Sequence, residues 1–379
     1  ILSEEYVKYR QEIREFALSE IEPHAARIDR DQVFPHEHIP KLNEMGILGM
    51  VIPKEYGGTF TDTLKYAIAV EELSRICGST GIIVAANNSL CTFPIYLFGT
   101  EEQKKKYLPP ICTGGELGSF GLTEPNAGSD AAGTRSTAVR DGNDWILNGT
   151  KCFITNATVA STYVVTAVTD KTKGAKGITA FILKKGTPGF TVGKKENKMG
   201  LRGSDTAFLH FDDVRIPDSD RLGPEGYGFK EFMITLDGGR ISIGALGLGL
   251  GQGALDCALD FAKNHEENGM PPAKRQYIQF KLADIDIQVE ASRNFVYEAA
   301  LAKDTGVKFT RLSATAKLYA SEAARYAAYW AMQILGDYGY TDRYPAERIF
   351  RDIKLCEIGE GTSEIQRLVI SRELIRGTS

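Results

Sequence analysis

The chain has 379 residues, 42% of them hydrophobic and 25% charged, with a formal net charge of −4. A chain of this length buries a large core in two or three domains, and the composition is that of a soluble globular protein. Its basic residues are scattered among acids, and the short cluster Lys104-Lys105-Lys106 reads as a solvated helix face, which argues against a nucleic-acid partner. The cysteines Cys77, Cys91, Cys112, Cys152, Cys257 and Cys356 show no CxxC spacing, so neither a metal site nor a disulfide framework is expected and a reducing compartment is inferred. Apolar runs such as Ile241 to Leu250 are short and broken by glycine, so no bilayer span is expected, nor a leader ahead of Ser3.

In chain order, residues 1–117 carry apolar positions at helical spacing through Tyr6-Val7, Ile13, Phe16-Ala17 and Tyr66 to Leu73, punctuated by Pro23, Pro35, Pro53, Pro94 and Pro109-Pro110. Residues 118–229 change to short β-branched runs, Thr162 to Val168, Ile178 to Leu183 and Phe190 to Val192, between Gly, Asn, Asp and Lys clusters. Residues 230–379 return to long helical patterns at Ala254 to Lys263, Phe280 to Lys303, Ser313 to Leu335 and Ser363 to Arg376. The expected class is α+β, with an N-terminal helical domain, a central β-barrel or sandwich and a C-terminal four-helix bundle.

Two segments stand out chemically. Residues 120–130 read Phe-Gly-Leu-Thr-Glu-Pro-Asn-Ala-Gly-Ser-Asp, a turn rich in small hydroxyls where backbone can approach a phosphate-bearing ligand; a plain surface turn is the alternative. In Gly359-Glu360-Gly361-Thr362-Ser363, glycines flank a carboxylate directly ahead of a helix that Thr362 or Ser363 can cap. Glu360 is then either a positioned base or a solvated loop acid. Asp237 and Arg240, taken alone, are equally a helix N-terminal acid and its ion-pair partner.

The 120–130 stretch and Glu360-Gly361-Thr362-Ser363-Glu364-Ile365-Gln366-Arg367 resemble the signatures of the acyl-CoA dehydrogenase family. The texture is closest to its short-chain, butyryl-CoA dehydrogenase-like members. Supporting likenesses run along essentially the whole chain, at Lys151-Cys152-Phe153-Ile154-Thr155-Asn156, Leu236-Asp237-Gly238-Gly239-Arg240 and Gln333-Ile334-Leu335-Gly336-Asp337-Tyr338-Gly339. Met199 to Thr206 matches a stretch of the family's β domain and is given no catalytic role.

The resemblance implies FAD, contacted by Phe120, Leu122, Thr123, Ser129, Phe153, Ile154, Thr155, Gln276, Gln333, Asp337, Thr362, Ser363 and Glu364. It implies an acyl-CoA substrate contacted by Ser129, Leu236, Asp237, Arg240 and Gly361, and a region near the acyl pocket at Asn87-Asn88-Ser89 and Thr92 to Phe98. By the same resemblance Glu360 takes the pro-R α-proton while the β-hydride passes to flavin N5, giving a trans-2-enoyl-CoA. The thioester carbonyl would be polarised by the Glu360 backbone N–H and a ribityl hydroxyl, and shielding from water would raise the Glu360 pKa. Some members place the base directly before the arginine of the Leu-Asp-x-x-Arg segment, where this chain has Gly239. A homotetramer, an electron-transferring flavoprotein as electron acceptor, and a cytoplasmic or, in a eukaryote, mitochondrial-matrix location are also implied, with enoyl-CoA reduction as the reverse reaction.

Three positions depart from the family pattern. Asp337 replaces a glycine near the flavin, and His265 and Asn268 stand where members carry an arginine and a phenylalanine at the pyrophosphate across the subunit interface. A neutral histidine does not replace a bidentate guanidinium, although a protonated one is a weaker substitute. These departures keep two alternatives open: a non-redox acyl-CoA lyase or cyclase with weakened flavin binding, and a non-catalytic acyl-CoA-binding protein.

Overall fold

The computed structural model describes residues 2–266 and 269–377. The N-terminal helices are α1 (Glu4–Phe16), α2 (Glu22–Arg30), α3 (His38–Glu44), α4 (Thr63–Ile76), α5 (Gly78–Ala85), α6 (Phe93–Phe98) and α7 (Glu101–Cys112). Their starts follow from local chemistry. The Asp62 side chain accepts from Lys65 N at α4, and Thr100 and Gln103 form a reciprocal capping box at α7.

The strands are β1 (Gly118–Gly121), β2 (Thr137–Asp141), β3 (Asp144–Thr155), β4 (Thr162–Val168), β5 (Ile178–Lys184), β6 (Phe190–Val192), β7 (Thr206–Pro217) and β8 (Arg221–Leu222). They form one sheet in the order β6-β7-β3-β2-β4-β5-β8, with β1 parallel to β4. One side of the sheet holds its own apolar core around Trp145, Leu147, Tyr163, Val165, Phe181 and Leu209.

The last part is α8 (Gly228–Asn264), α9 (Gln276–Asp304), α10 (Thr310–Leu335), α11 (Ala346–Asp352) and α12 (Ser363–Ile375). The Ile241–Leu250 run is not a short, glycine-broken segment. It lies inside α8, a helix of 37 residues. Both α8 and residues 78–98 are long and apolar enough to cross a bilayer by length and composition, and the protein buries 89% and 72% of their apolar windows respectively. The glycines explain how α8 tolerates burial on two sides. Side chains at Gly244, Gly247 and Gly251 would press on Ala316, Ala320 and Ala324 of α10, while Gly249 and Gly253 lie against the backbone of Glu71 and Arg75 on α4. Each glycine weakens the helix by about 1 kcal/mol relative to alanine, and close packing offsets that cost.

The domains are tied by buried polar links. Glu71 and Glu72 of α4, both fully buried, pair with Arg10 of α1, and Glu71 also with Arg293 of α9. The Met199–Thr206 stretch, unassigned from sequence, is a junction of all three parts. Leu201 N donates to Asp352 Oδ1 at 2.5 Å, and Gly203 N donates to Ser79 Oγ at 3.1 Å. All six cysteines are buried and unpaired.

Candidate active site

Helix α8 connects the two chemically suggestive segments. Phe232, Leu236 and Gly239 fall at helical spacing on one face. Phe232 stacks on Phe120 of β1, ring centroids 4.0 Å apart and planes at 25°. A Cβ at Gly239 would stand 2.0 Å from Glu360 Oε2, so the carboxylate lies against bare helix backbone. Roughly 10 Å of helix axis separates these contacts. One face of α8 therefore meets both Phe120, where the 120–130 segment begins, and Glu360.

Glu360 has φ +53° and Gly361 φ +95°, a left-handed pair that reverses the chain ahead of α12. Thr362, not Ser363, caps α12, its Oγ1 accepting from Ile365 N at 3.3 Å. Glu360 Oε2 is buried with no hydrogen-bond partner, as are Ser363 Oγ, Gln366 Oε1 and Arg240 Nε. Burial pushes the Glu360 carboxyl up to about 8, against the opposing charges of Arg240 and Lys317. One Glu360 carboxylate oxygen is thus shielded, unlike that of a fully solvated loop acid, while the residue as a whole is half-buried.

At the other end, the β3–β7 register shifts between Lys151 and Ile154. This bulge gives Phe153 a φ of +57° and turns its ring outward, 66% exposed. Ile154 points the other way, into the sheet core, which leaves its backbone alone for any ligand. Thr155 and Thr123 are placed beside Phe120 by two bonds: Ser119 Oγ donates to Thr155 O at 2.7 Å and Cys152 N to Thr123 O at 2.8 Å. Behind the loop, fully buried Lys151 donates to Glu124 Oε1 at 2.8 Å and to Leu122 O at 3.2 Å. Burial alone would raise the Glu124 carboxyl, but Lys151, Thr134 and Ser136 hold it down to about 2. Ser129 is exposed at the rim of the loop.

Asp237 lies in the third turn of α8, not at its N-terminus, and pairs with Arg240 while accepting from Thr310 Oγ1 at 2.9 Å. Leu236 is buried beside them. Asn87 and Asn88 are committed to the scaffold. Asn87 Nδ2 donates to Leu48 O and its Oδ1 accepts from Gly118 N, while Asn88 binds Met50 N and Ile47 O. Neither amide is left for an acyl chain.

A single chain does not gather every expected residue. Gln276, Gln333 and Asp337 are exposed, and Gln333 lies roughly 24 Å along α10 from the part of that helix beneath Glu360. His265 stacks on Phe261 with centroids 4.3 Å apart and meets Tyr338 edge-on at 4.9 Å, so its ring is part of an aromatic cluster. Asn268 lies outside the described residues.

Three family models match in succession: the acyl-CoA dehydrogenase N-terminal domain over residues 3–115, the middle domain over 119–214 and the C-terminal domain over 226–375. The chain belongs to the acyl-CoA dehydrogenase family. It is similar to the short-chain specific acyl-CoA dehydrogenase of Clostridium acetobutylicum, 47% identical over 99% of each chain. Among solved structures, butyryl-CoA dehydrogenase from Megasphaera elsdenii superposes with a TM-score of 0.96 at 45% identity, covering 99% of each chain. A chain solved in work on the electron transferring flavoprotein of Acidaminococcus fermentans gives 0.97 at 48% identity, again over 99% of each. This acyl-CoA dehydrogenase accordingly carries out α,β-dehydrogenation of an acyl-CoA thioester, and the lyase and silent-binder alternatives give way.

Two residues that the structure places against Phe120 and the Glu360 loop were not singled out from the sequence. Phe232, which carries the stack on Phe120, was readable as the first member of the Phe232-Leu236-Gly239 face. Lys317 falls on the alanine stripe Ala316, Ala320, Ala324 of α10, and a lysine at a buried period is itself a signal.

Proposed function

We propose that Glu360 is the base that removes the substrate α-proton. The observation that carries this is its Oε2, buried, without a partner and set against the open backbone of Gly239. A carboxylate kept from water is a stronger base at neutral pH than a solvated one, as thioester α-deprotonation requires. Asp237 and Arg240 would hold the CoA portion at the same turn of α8 as Gly239, with Leu236, Ser129 and the Gly361 backbone nearby. The Glu360 backbone N–H would donate to the thioester oxygen as negative charge develops there. A short acyl chain is the substrate class, by likeness to the short-chain relatives.

FAD fits the residues present. Phe153 offers an uncovered aromatic face, the Ser363 hydroxyl is buried without a partner at the start of α12, and the buried Lys151–Glu124 pair stiffens the loop carrying Phe120, Leu122 and Thr123. Thr155, the Ile154 backbone, Thr362 and Glu364 complete the contacts from one chain. A flavin bound here supplies the acceptor for the β-hydride. Gln276, Gln333 and Asp337 would reach the flavin of a neighbouring copy. Exposed Tyr277, Phe280 and Ile287 on α9 and Tyr329 on α10 supply an apolar face for that copy, and the assembly proposed is a homotetramer. An electron-transferring flavoprotein is the proposed electron acceptor, in keeping with the Acidaminococcus likeness.

Glu360→Gln tests the assignment. Turnover is expected to fall about 10²–10⁴-fold while acyl-CoA still perturbs the flavin spectrum. Unchanged turnover removes Glu360 from the mechanism.

A further inference from the structure

Beneath the Glu360 loop lies a lysine for which the dehydrogenation mechanism above has no role. Lys317 of α10 is fully buried and donates to Gly361 O at 2.6 Å. From the other side Gln366 Nε2 donates to the same carbonyl at 2.9 Å and to Glu360 O at 3.1 Å. The two carbonyls so held belong to the two residues with left-handed backbone, φ +53° and +95°. Glutamate rarely adopts such a φ unless its surroundings impose it. If Glu360 relaxed to an ordinary φ, its side chain would swing away from Gly239.

We propose that Lys317 is a positioning residue for the base: with Gln366 it locks the Glu360–Gly361 turn so that the carboxylate faces the substrate cleft, and its charge favours the ionised carboxylate. The proposal rests on Glu360 being the base. The groups facing Lys317 are Cys356, Glu360 and Glu357 from the segment above it and Arg240 from α8. Burial pushes the Lys317 ammonium down to about 8, with Cys356 and Glu360 acting in the opposite direction. Arg240 is already engaged by Asp237. Lys317 donates to a neutral carbonyl and not to a carboxylate, so its charge, present below about pH 8, is unpaired and acts on Glu360.

A lysine that only fills space and caps a carbonyl would change stability when replaced, but not the pH at which the base ionises. The test is the pH profile of kcat/KM for flavin-loaded Lys317→Met and Lys317→Arg with butyryl-CoA, with Glu360→Gln as control. For Lys317→Met, kcat is expected to fall about tenfold or more, the rising limb of the profile to move up by about one pH unit, and KM to stay within about twofold. Lys317→Arg, which keeps donor and charge, is expected to bring the limb back towards the parent position. A Lys317→Met profile that superimposes on the parent, with only the melting temperature lowered, overturns the proposal. If the methionine variant does not fold, Lys317→Gln, which keeps a donor without charge, is read by the same criteria. Full turnover in Glu360→Gln would instead mean that the base assignment itself has failed.

Discussion

One oxygen of the Glu360 carboxyl, Oε2, is buried without gaining a hydrogen bond, and this sets the expected response of the reaction to pH. Its base form is populated only as the pH rises through about 8, so kcat/KM of the flavin-loaded enzyme is expected to climb over that range and level off above it. A profile flat from about pH 6 to about pH 9 would show a base with an ordinary carboxylate pKa. Stability runs the opposite way. The folded-state value lies above the ordinary 4.5, so the group's contribution is full below about 4.5 and is lost as the pH rises through about 8. Glu360→Gln should therefore gain in melting temperature relative to the parent as pH is raised, and a constant difference between the two would contradict this. The residue was legible in the sequence through its flanking glycines. Its shielding was not, because the groups that enclose it lie on α8 and α10, more than a hundred and about forty residues away in sequence respectively.

At the scale of elements, α8 sets the width of the site. Gly239→Ala should stabilise the helix by about 1 kcal/mol on propensity alone. Its Cβ would nonetheless meet Glu360 Oε2 at 2.0 Å, so the carboxylate must move and turnover should fall. Thermal melts and turnover measured together check this, and full activity in the variant would show that the base is not held against α8. On the sheet side, Lys151→Met leaves Glu124 as an uncompensated buried carboxylate, a change expected to cost about 3–5 kcal/mol and to weaken flavin affinity. A melting temperature equal to the parent's would mean that water replaces the ammonium. Strands β4, β5 and β6 were readable from β-branched runs, whereas β3 and β7 were not delimited. Their alternation is interrupted by polar residues that face solvent and by the bulge at Phe153. Helix α8 was underestimated because glycine normally reads as a breaker, and only the two helices pressed against it explain its persistence.

For the whole molecule, the three separately patterned regions are joined by specific polar contacts. The Glu71–Arg10–Arg293 links join α1, α4 and α9, and the Met199–Thr206 turn meets Ser79 and Asp352. The exposed Phe280 and Ile287 belong to the face proposed to meet another copy. Light scattering of the purified protein should give the mass of a tetramer. Phe280→Glu combined with Ile287→Glu should lower both mass and flavin content, since Gln276 and Gln333 act only across the interface in the proposed assembly. A variant that keeps flavin as a monomer would show that one chain suffices.

The sequence by itself determined the order of helical, strand and helical regions and marked the loop at 120–130, Glu360 and the Asp237–Arg240 pair as candidates, because hydrophobic period, turn residues and short motifs are local properties of the chain. Only the tertiary structure decided that Phe153 faces outward while Ile154 is buried, that Asn87 and Asn88 serve the scaffold, that His265 belongs to an aromatic cluster, and that Lys317 lies under the base. Each of these depends on which distant side chains displace water from a given atom, and burial of that kind is a property of the packed whole.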